Sequence, residues 1–312
     1  MNRQHLLVTS VVCAAAVGAG IRPSAQQRPV PDPPRFEAGV ELTTVNATVT
    51  GADGHLVTGL ARDLFEIYED GRRQTITQFT NERVPVSLGV LLDISDSMFG
   101  KRIEDARAAV DRFLFDLLGP NDEFFILAFN HQPHVLTRWT READLVRRVL
   151  DGLTPSGSTA TYDALMASMP LVNQRSRQRA ALVLISDGAD TGSNATRRDL
   201  RSAFLRSDAF VYAVAIDSPD RRPINTRVDV QALREITAEN GGRTEVVQNS
   251  GDLAAATARI AEELNSQYLL GYTSTRGADG AFHSIRVRVS GTGYRVRART
   301  GYVAIPRART NN

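Results

Sequence analysis

Asp93, Ser95 and Ser97 set three short oxygen-bearing side chains at alternate positions in LLDISDSMFG, residues 91–100. Two other stretches carry the same kind of group. TPSGSTATYDAL (154–165) brings Ser158, Thr159 and Thr161, and ALVLISDGADTGS (181–193) brings Asp187 and Asp190. Carboxylates and hydroxyls with no thiol or imidazole among them suit a hard divalent cation, Mg²⁺ or Mn²⁺ first and Ca²⁺ as a further candidate. Taken singly, Asp93 and Asp187 read equally well as carboxylates capping the next helix. The joint pattern separates the two readings, because all three stretches must then arrive at one place.

The elements that would bring them together can be read from periodicity. VSLGVLL before Asp93 is a buried strand, and KRIEDARAAVDRFLFDLL after it is an amphipathic helix with Ile103, Ala106, Val110, Phe113 and Leu117 on one stripe. Strands are expected at 86–94, 123–130, 180–186, 210–216 and 243–247. Helices are expected at 101–118, 141–150, 162–173, 197–206, 230–240 and 252–265. HQP after Asn130 is too short for a crossover, so HVLTRW returns as an antiparallel strand. The expected fold is α/β: a Rossmann-like, doubly wound, mostly parallel sheet with one antiparallel edge strand. Loops at the carboxyl ends of its strands are where such sheets bind ligands.

Short alternating runs flank this block. In the first, FEIYEDGRRQTITQFT reads as a hairpin across Asp70-Gly71; the second runs from Tyr268, with GTG (291–293) as the turn of its last two strands. Neither alone buries much surface, so the two are expected to pair as a small β module with the α/β block inserted. The expected organisation is a signal peptide (1–25), a proline-rich linker (26–38), a β segment (39–82), the α/β domain (84–266), a second β segment (267–306) and a tail (307–312).

The three loops, in this order and at these strand ends, resemble the metal-ion-dependent adhesion site of von Willebrand factor A domains. The residues that carry the resemblance are Asp93-Ile-Ser95-Asp-Ser97, Thr159 in GSTATYDAL and Asp187 in LISDGAD. The flanks resemble the bacterial VWFA-related proteins of the Acidobacteria type. The resemblance implies Ser95, Ser97 and Thr159 as direct ligands of the cation, with Asp93 and Asp187 beside it, often through water. It implies an open coordination position that accepts a carboxylate from a partner protein. Thr161 is the alternative to Thr159, and Asp96 stands where the family often has glycine; the loop position favours solvent for it.

Of 37 Lys and Arg, only Arg3 and Arg22 fall in residues 1–25, which hold no acid; the rest balance at 35 against 35, giving no charge argument for nucleic acid. Residues 1–25 read as a secretory signal, with Arg3, the apolar LLVTSVVCAAAVGAG and a small-residue end at Ala25; an uncleaved anchor is the alternative. The single cysteine, Cys13, lies inside that segment, so the exported chain, periplasmic or secreted, carries no disulfide framework.

Enzyme readings fare worse. A phosphatase of the haloacid dehalogenase type would use Asp93 as nucleophile, but its acid–base aspartate two residues on is here Ser95. The chain holds neither a G-x-S-x-G elbow nor a P-loop. His131 and His134 sit on an expected hairpin turn without a third ligand, and Trp139 reads as packed. Arg286 and Arg288, then Arg295, Arg297 and Arg299, alternate along two strands. The plain reading is a solvated outer face; the functional one is contact with a membrane or other anionic surface.

Overall fold

The computed structural model describes residues 42–187, 190–217, 229–276 and 279–305. The expected signal peptide, the proline-rich linker and the tail from 307 lie outside the described residues. Among the described residues, no helix is long and apolar enough to cross a membrane.

The described residues open with four strands, β1 (Leu42–Thr50), β2 (Phe65–Glu69), β3 (Arg72–Gln74) and β4 (Ile76–Thr80). Asp70 and Gly71 both take positive φ, 48° and 77°, the geometry of a two-residue hairpin turn between β2 and β3. The expected hairpin does not run on to Thr80. At Thr75 the chain leaves the β2 sheet, and β4 pairs with a strand of another sheet. Ile76, 6% exposed, is thereby turned into the core between the two sheets.

The α/β block follows as β5 (Val86–Asp93), α1 (Lys101–Arg112), β6 (Glu123–Phe129), β7 (Pro133–Thr140), α2 (Ala143–Asp151), α3 (Thr161–Asn173), β8 (Arg179–Ser186), α4 (Arg197–Phe204), β9 (Phe210–Ile216), α5 (Val230–Glu239), β10 (Thr244–Val247) and α6 (Ser250–Asn265). Instead of continuing to 118, α1 gives way to a π-helical turn, Phe113–Leu117, which puts the adjacent Phe113 and Leu114 both into the core. The six strands lie in the order β10-β9-β8-β5-β6-β7, all parallel except the β6–β7 pair. The mixed α/β class and the antiparallel edge strand are as expected from the sequence.

Alternation along β5 divides the core. Val86, Leu88, Val90 and Leu92 face α1, α2 and α6, while Leu91 faces α3, α4 and α5. Gly89 is fixed by packing: a Cβ there would stand 2.3 Å from Phe125 Cζ and 2.6 Å from Leu182 Cδ2.

The tail supplies β11 (Tyr268–Thr273), β12 (Phe282–Val289), β13 (Arg295–Ala298) and β14 (Gly301–Val303). Two four-stranded sheets result, β13-β1-β11-β4 and β14-β12-β2-β3, each mixing strands from both ends of the chain. Val45, Val49, Phe65, Ile67, Tyr268 and Leu270 fill the space between them. The GTG stretch is not a hairpin turn, because β12 and β13 belong to different sheets.

Glu263 of α6, 1% exposed, joins these sheets to the α/β block. It accepts hydrogen bonds from Thr48 Oγ1 (3.0 Å) and Tyr212 Oη (2.8 Å) and pairs with Arg297. That pairing alters the reading of the arginine strands. Arg297 also donates to Gly241 O, and Arg299 to Thr44 O, leaving Arg286, Arg288 and Arg295 as the exposed members.

Candidate metal centre

β5 is the first strand of the block yet lies inside the sheet, with β6 on one side and β8 on the other. The chain therefore winds away from it in both directions, and a crevice opens at the carboxyl ends of β5 and β8, where such sheets take ligands. Asp93 ends β5, and Asp187 follows the last residue of β8.

After Asp93 the chain makes a single 3-10 turn, Asp96–Met98, before α1 starts. Met98 is buried and anchors the turn, while Ser95, Asp96 and Ser97 lie along it. Asp93 is fully buried and both its oxygens are engaged: Oδ1 accepts the Ser95 N–H (2.8 Å) and Oδ2 the Ser186 hydroxyl (2.5 Å). Burial pushes its carboxyl up to about 6, against the pull of these hydrogen bonds and with the charge of Asp187 adding to the rise. Ser95 Oγ and Ser97 Oγ are 3.1 Å apart, and Ser97 donates to Asp187 Oδ1 at 2.6 Å. The other oxygen of Asp187 accepts from Arg102 Nη1, also at 2.6 Å.

Main-chain bonds tie the loops pairwise. Asp96 N–H donates to Gly157 O (2.9 Å) and Ser156 N–H to Ile94 O (2.8 Å), joining the first loop to the second. Thr159 O accepts from the N–H groups of Thr191 and Gly192 (2.8 and 2.9 Å), and Thr159 N–H donates to Thr191 Oγ1 (3.1 Å), joining the second to the third.

Asp93, Ser95, Ser97 and Asp187 thus form one hydrogen-bonded cluster, whereas Thr159 is tied by its main chain to Thr191 and Gly192 of the third loop. Asp96 is exposed, as its loop position suggested. Thr161 Oγ1 is buried without a hydrogen-bond partner, which keeps it beside Thr159 as a candidate hydroxyl. His131 is exposed beside Gly157. Trp139 packs edge-on against Phe125, its ring centroid 4.7 Å away, and donates to Leu171 O.

Arg102 and Ser186 were not singled out from the sequence. A signal for Arg102 existed: a basic residue in the first turn of a helix opposes the macrodipole and calls for a local partner. Ser186 is masked by its position at the end of an apolar strand.

The donor set fits a small hard cation. Two hydroxyls within 3.1 Å of each other stand against a carboxylate, with an orphaned buried hydroxyl, that of Thr161, at the start of α3. Among the described residues no three His, Cys, Asp or Glu are grouped to hold a metal, so the hydroxyls are essential to any such fit.

Residues 88–189 match the von Willebrand factor type A domain family. Inter-alpha-trypsin inhibitor heavy chain H2 of Mus musculus is 20% identical over 253 residues, covering 72% of this chain and 25% of that protein. The chain thus spans about a quarter of the length of that curated relative. Among solved structures, a von Willebrand factor type A protein from Catenulispora acidiphila aligns with a TM-score of 0.51 at 11% identity, over 87% of this chain and 76% of that one. Proximal thread matrix protein 1 from the mussel byssus aligns at 0.50 and 14% identity, over 63% and 51%. At these identities the structural likeness speaks for the fold alone.

Proposed function

For a chain that carries a von Willebrand factor type A domain over residues 88–189, we propose the role of an exported binding module that grips an acidic side chain of a partner protein through a bound divalent cation. The observation that carries this reading is the convergence of Ser95 Oγ and Ser97 Oγ from the loop after β5 with Asp187 Oδ1 from the loop after β8. Ser95, Ser97 and Thr159 hold the cation, Mg²⁺ or Mn²⁺, with Ca²⁺ as a further candidate. Asp93 and Asp187 orient the hydroxyls and the waters around it. The ion supplies an electrophilic bridge to a carboxylate. Because its direct ligands would be three neutral hydroxyls, with the carboxylates beside them and not bound to it, the ion stays electrophilic toward a further carboxylate. Export rests on the signal-like residues 1–25.

Two other readings draw less support. A purely structural cation, bracing three loops, is less needed because those loops are already hydrogen-bonded to one another. A hydrolase using Asp93 as nucleophile is disfavoured, since that carboxylate is fully buried with both oxygens engaged.

The test is calorimetric titration of Mg²⁺ and Mn²⁺ into metal-stripped protein, beside Ser97→Ala and Asp187→Ala. Saturable one-site binding in the parent, lost in both folded variants, supports the reading; no binding in the parent sinks an intrinsic site. A captured partner that EDTA releases while the fold survives favours adhesion, whereas unfolding in EDTA favours bracing.

A further inference from the structure

Arg102 is the second residue of α1, and its side chain is 17% exposed, against 1% for its partner Asp187. Nη1 donates to Asp187 Oδ2 at 2.6 Å and to Ser97 O at 2.8 Å. A guanidinium here gains nothing from its own helix, whose N-terminal end is positive. Its position is set by the cluster: it pairs with one of the two aspartates and grips the main chain of a serine whose hydroxyl contacts the same aspartate.

The consequence is electrostatic. Asp93 and Asp187, when ionised, give the crevice two negative charges, and Arg102 cancels one of them. The exposed Asp96 adds a charge that solvent screens. With a divalent cation in place, the local formal charge becomes one positive instead of zero. Arg102 therefore weakens the attraction for the cation alone and strengthens the attraction for an anion that follows it.

We propose that Arg102 is a tethered counter-cation that makes the site take its metal ion and a partner's carboxylate cooperatively. The inference rests on the metal-binding reading above and deepens it, assigning selectivity for an acidic group to a residue outside the proposed ligands. Cooperativity of this kind is reciprocal: a carboxylate tightens the metal by the factor by which the metal tightens the carboxylate.

The experiment is titration of Mn²⁺ into the metal-stripped chain, with and without acetate as the carboxylate probe, in the parent, Arg102→Gln and Arg102→Lys. Arg102→Gln keeps a donor for Asp187 without the charge. Arg102→Lys keeps the charge without the planar fork, and melting curves establish that each variant is folded. The expected result is Mn²⁺ affinity roughly tenfold higher in Arg102→Gln, from removal of one nearby charge. In the same variant the gain from acetate seen in the parent shrinks, and Arg102→Lys behaves as the parent. Equal or weaker Mn²⁺ binding by folded Arg102→Gln overturns the inference and leaves the metal site standing. Tightening in Arg102→Lys as large as in Arg102→Gln overturns it too, since charge would not be the cause. Absence of Mn²⁺ binding in both parent and Arg102→Gln removes the metal reading itself, and this inference with it.

Discussion

Ser97, just before α1, and Asp187, just past β8, are 90 residues apart in the chain and 2.6 Å apart at Oγ and Oδ1. Ser97→Ala removes that hydrogen bond and one proposed ligand together. Because Arg102 still holds the other oxygen of Asp187, the expected loss of stability is only about 1 kcal/mol. Loss of Mn²⁺ binding should be complete by comparison. A thermal melt and a titration on the same sample check both halves, and a variant that unfolds would contradict the first.

Phe99, 75% exposed, is the most exposed of the large apolar side chains among the described residues, and it follows the 3-10 turn, two residues after Ser97. Phe99→Ser should leave stability within about 0.5 kcal/mol. If a partner carboxylate docks at the crevice, its neighbours pass over this ring. Affinity for a partner captured in Mg²⁺ and released by EDTA should then fall at least about fivefold, as loss of a partly buried aromatic contact implies. Unchanged affinity would place the partner's contacts elsewhere.

Glu263 binds Thr48, Tyr212 and Arg297 while 1% exposed. Glu263→Ala leaves two guanidinium groups, those of Arg297 and Arg243, and two hydroxyls without this carboxylate, with an expected cost of about 3 kcal/mol. Denaturant unfolding of the variant measures it. A loss under about 1 kcal/mol would mean that water replaces the carboxylate.

Gly89→Ala puts a methyl group against Phe125 and Leu182 at the centre of the sheet. Overpacking there should cost about 1–3 kcal/mol. Wild-type stability in this variant would show that β5 and β6 can slide apart without penalty.

His283 lies between two carboxylates, with Nδ1 2.9 Å from Asp70 Oδ2 and Nε2 3.1 Å from Asp279 Oδ1; Arg276 faces Asp70 at 3.4 Å and the Tyr302 ring packs alongside. The hydrogen bond to Asp70, followed by Asp279, raises the imidazole above its ordinary 6.5 against the opposing effect of burial. A raised folded-state value means that the protonated form stabilises the fold. That contribution is complete below about 6.5 and is lost as pH rises through the folded-state value. Melting temperature should therefore fall more steeply between about pH 6 and pH 8 in the parent than in His283→Gln. Parallel curves for the two proteins would refute the assignment.

Much of the α/β block was legible in the chain because its signals are local. The unbroken burial of VSLGVLL, the stripe through Ile103, Ala106 and Val110, and the short HQP link each report on a few consecutive residues, and the strands and edge reversal follow from them. The β segments were less legible. Both the second strand after Asp70-Gly71 and the strand after GTG change sheets, and alternation along a strand says which residues share a face but not which sheet receives them. The same limit hid the arginines: alternation put Arg295, Arg297 and Arg299 on one face, and only packing turned Arg297 toward Glu263.

By itself, the sequence determined which oxygen-bearing groups stand at strand ends, since residue type and local periodicity are properties of short stretches. Only the tertiary structure decided their company. That Ser186 holds Asp93, that Arg102 holds Asp187, and that Thr191 and Gly192 clasp Thr159 are contacts across three loops. Such contacts are set by which strands lie side by side. That order emerges from burying both faces of one sheet, a property of the whole chain and of no segment within it.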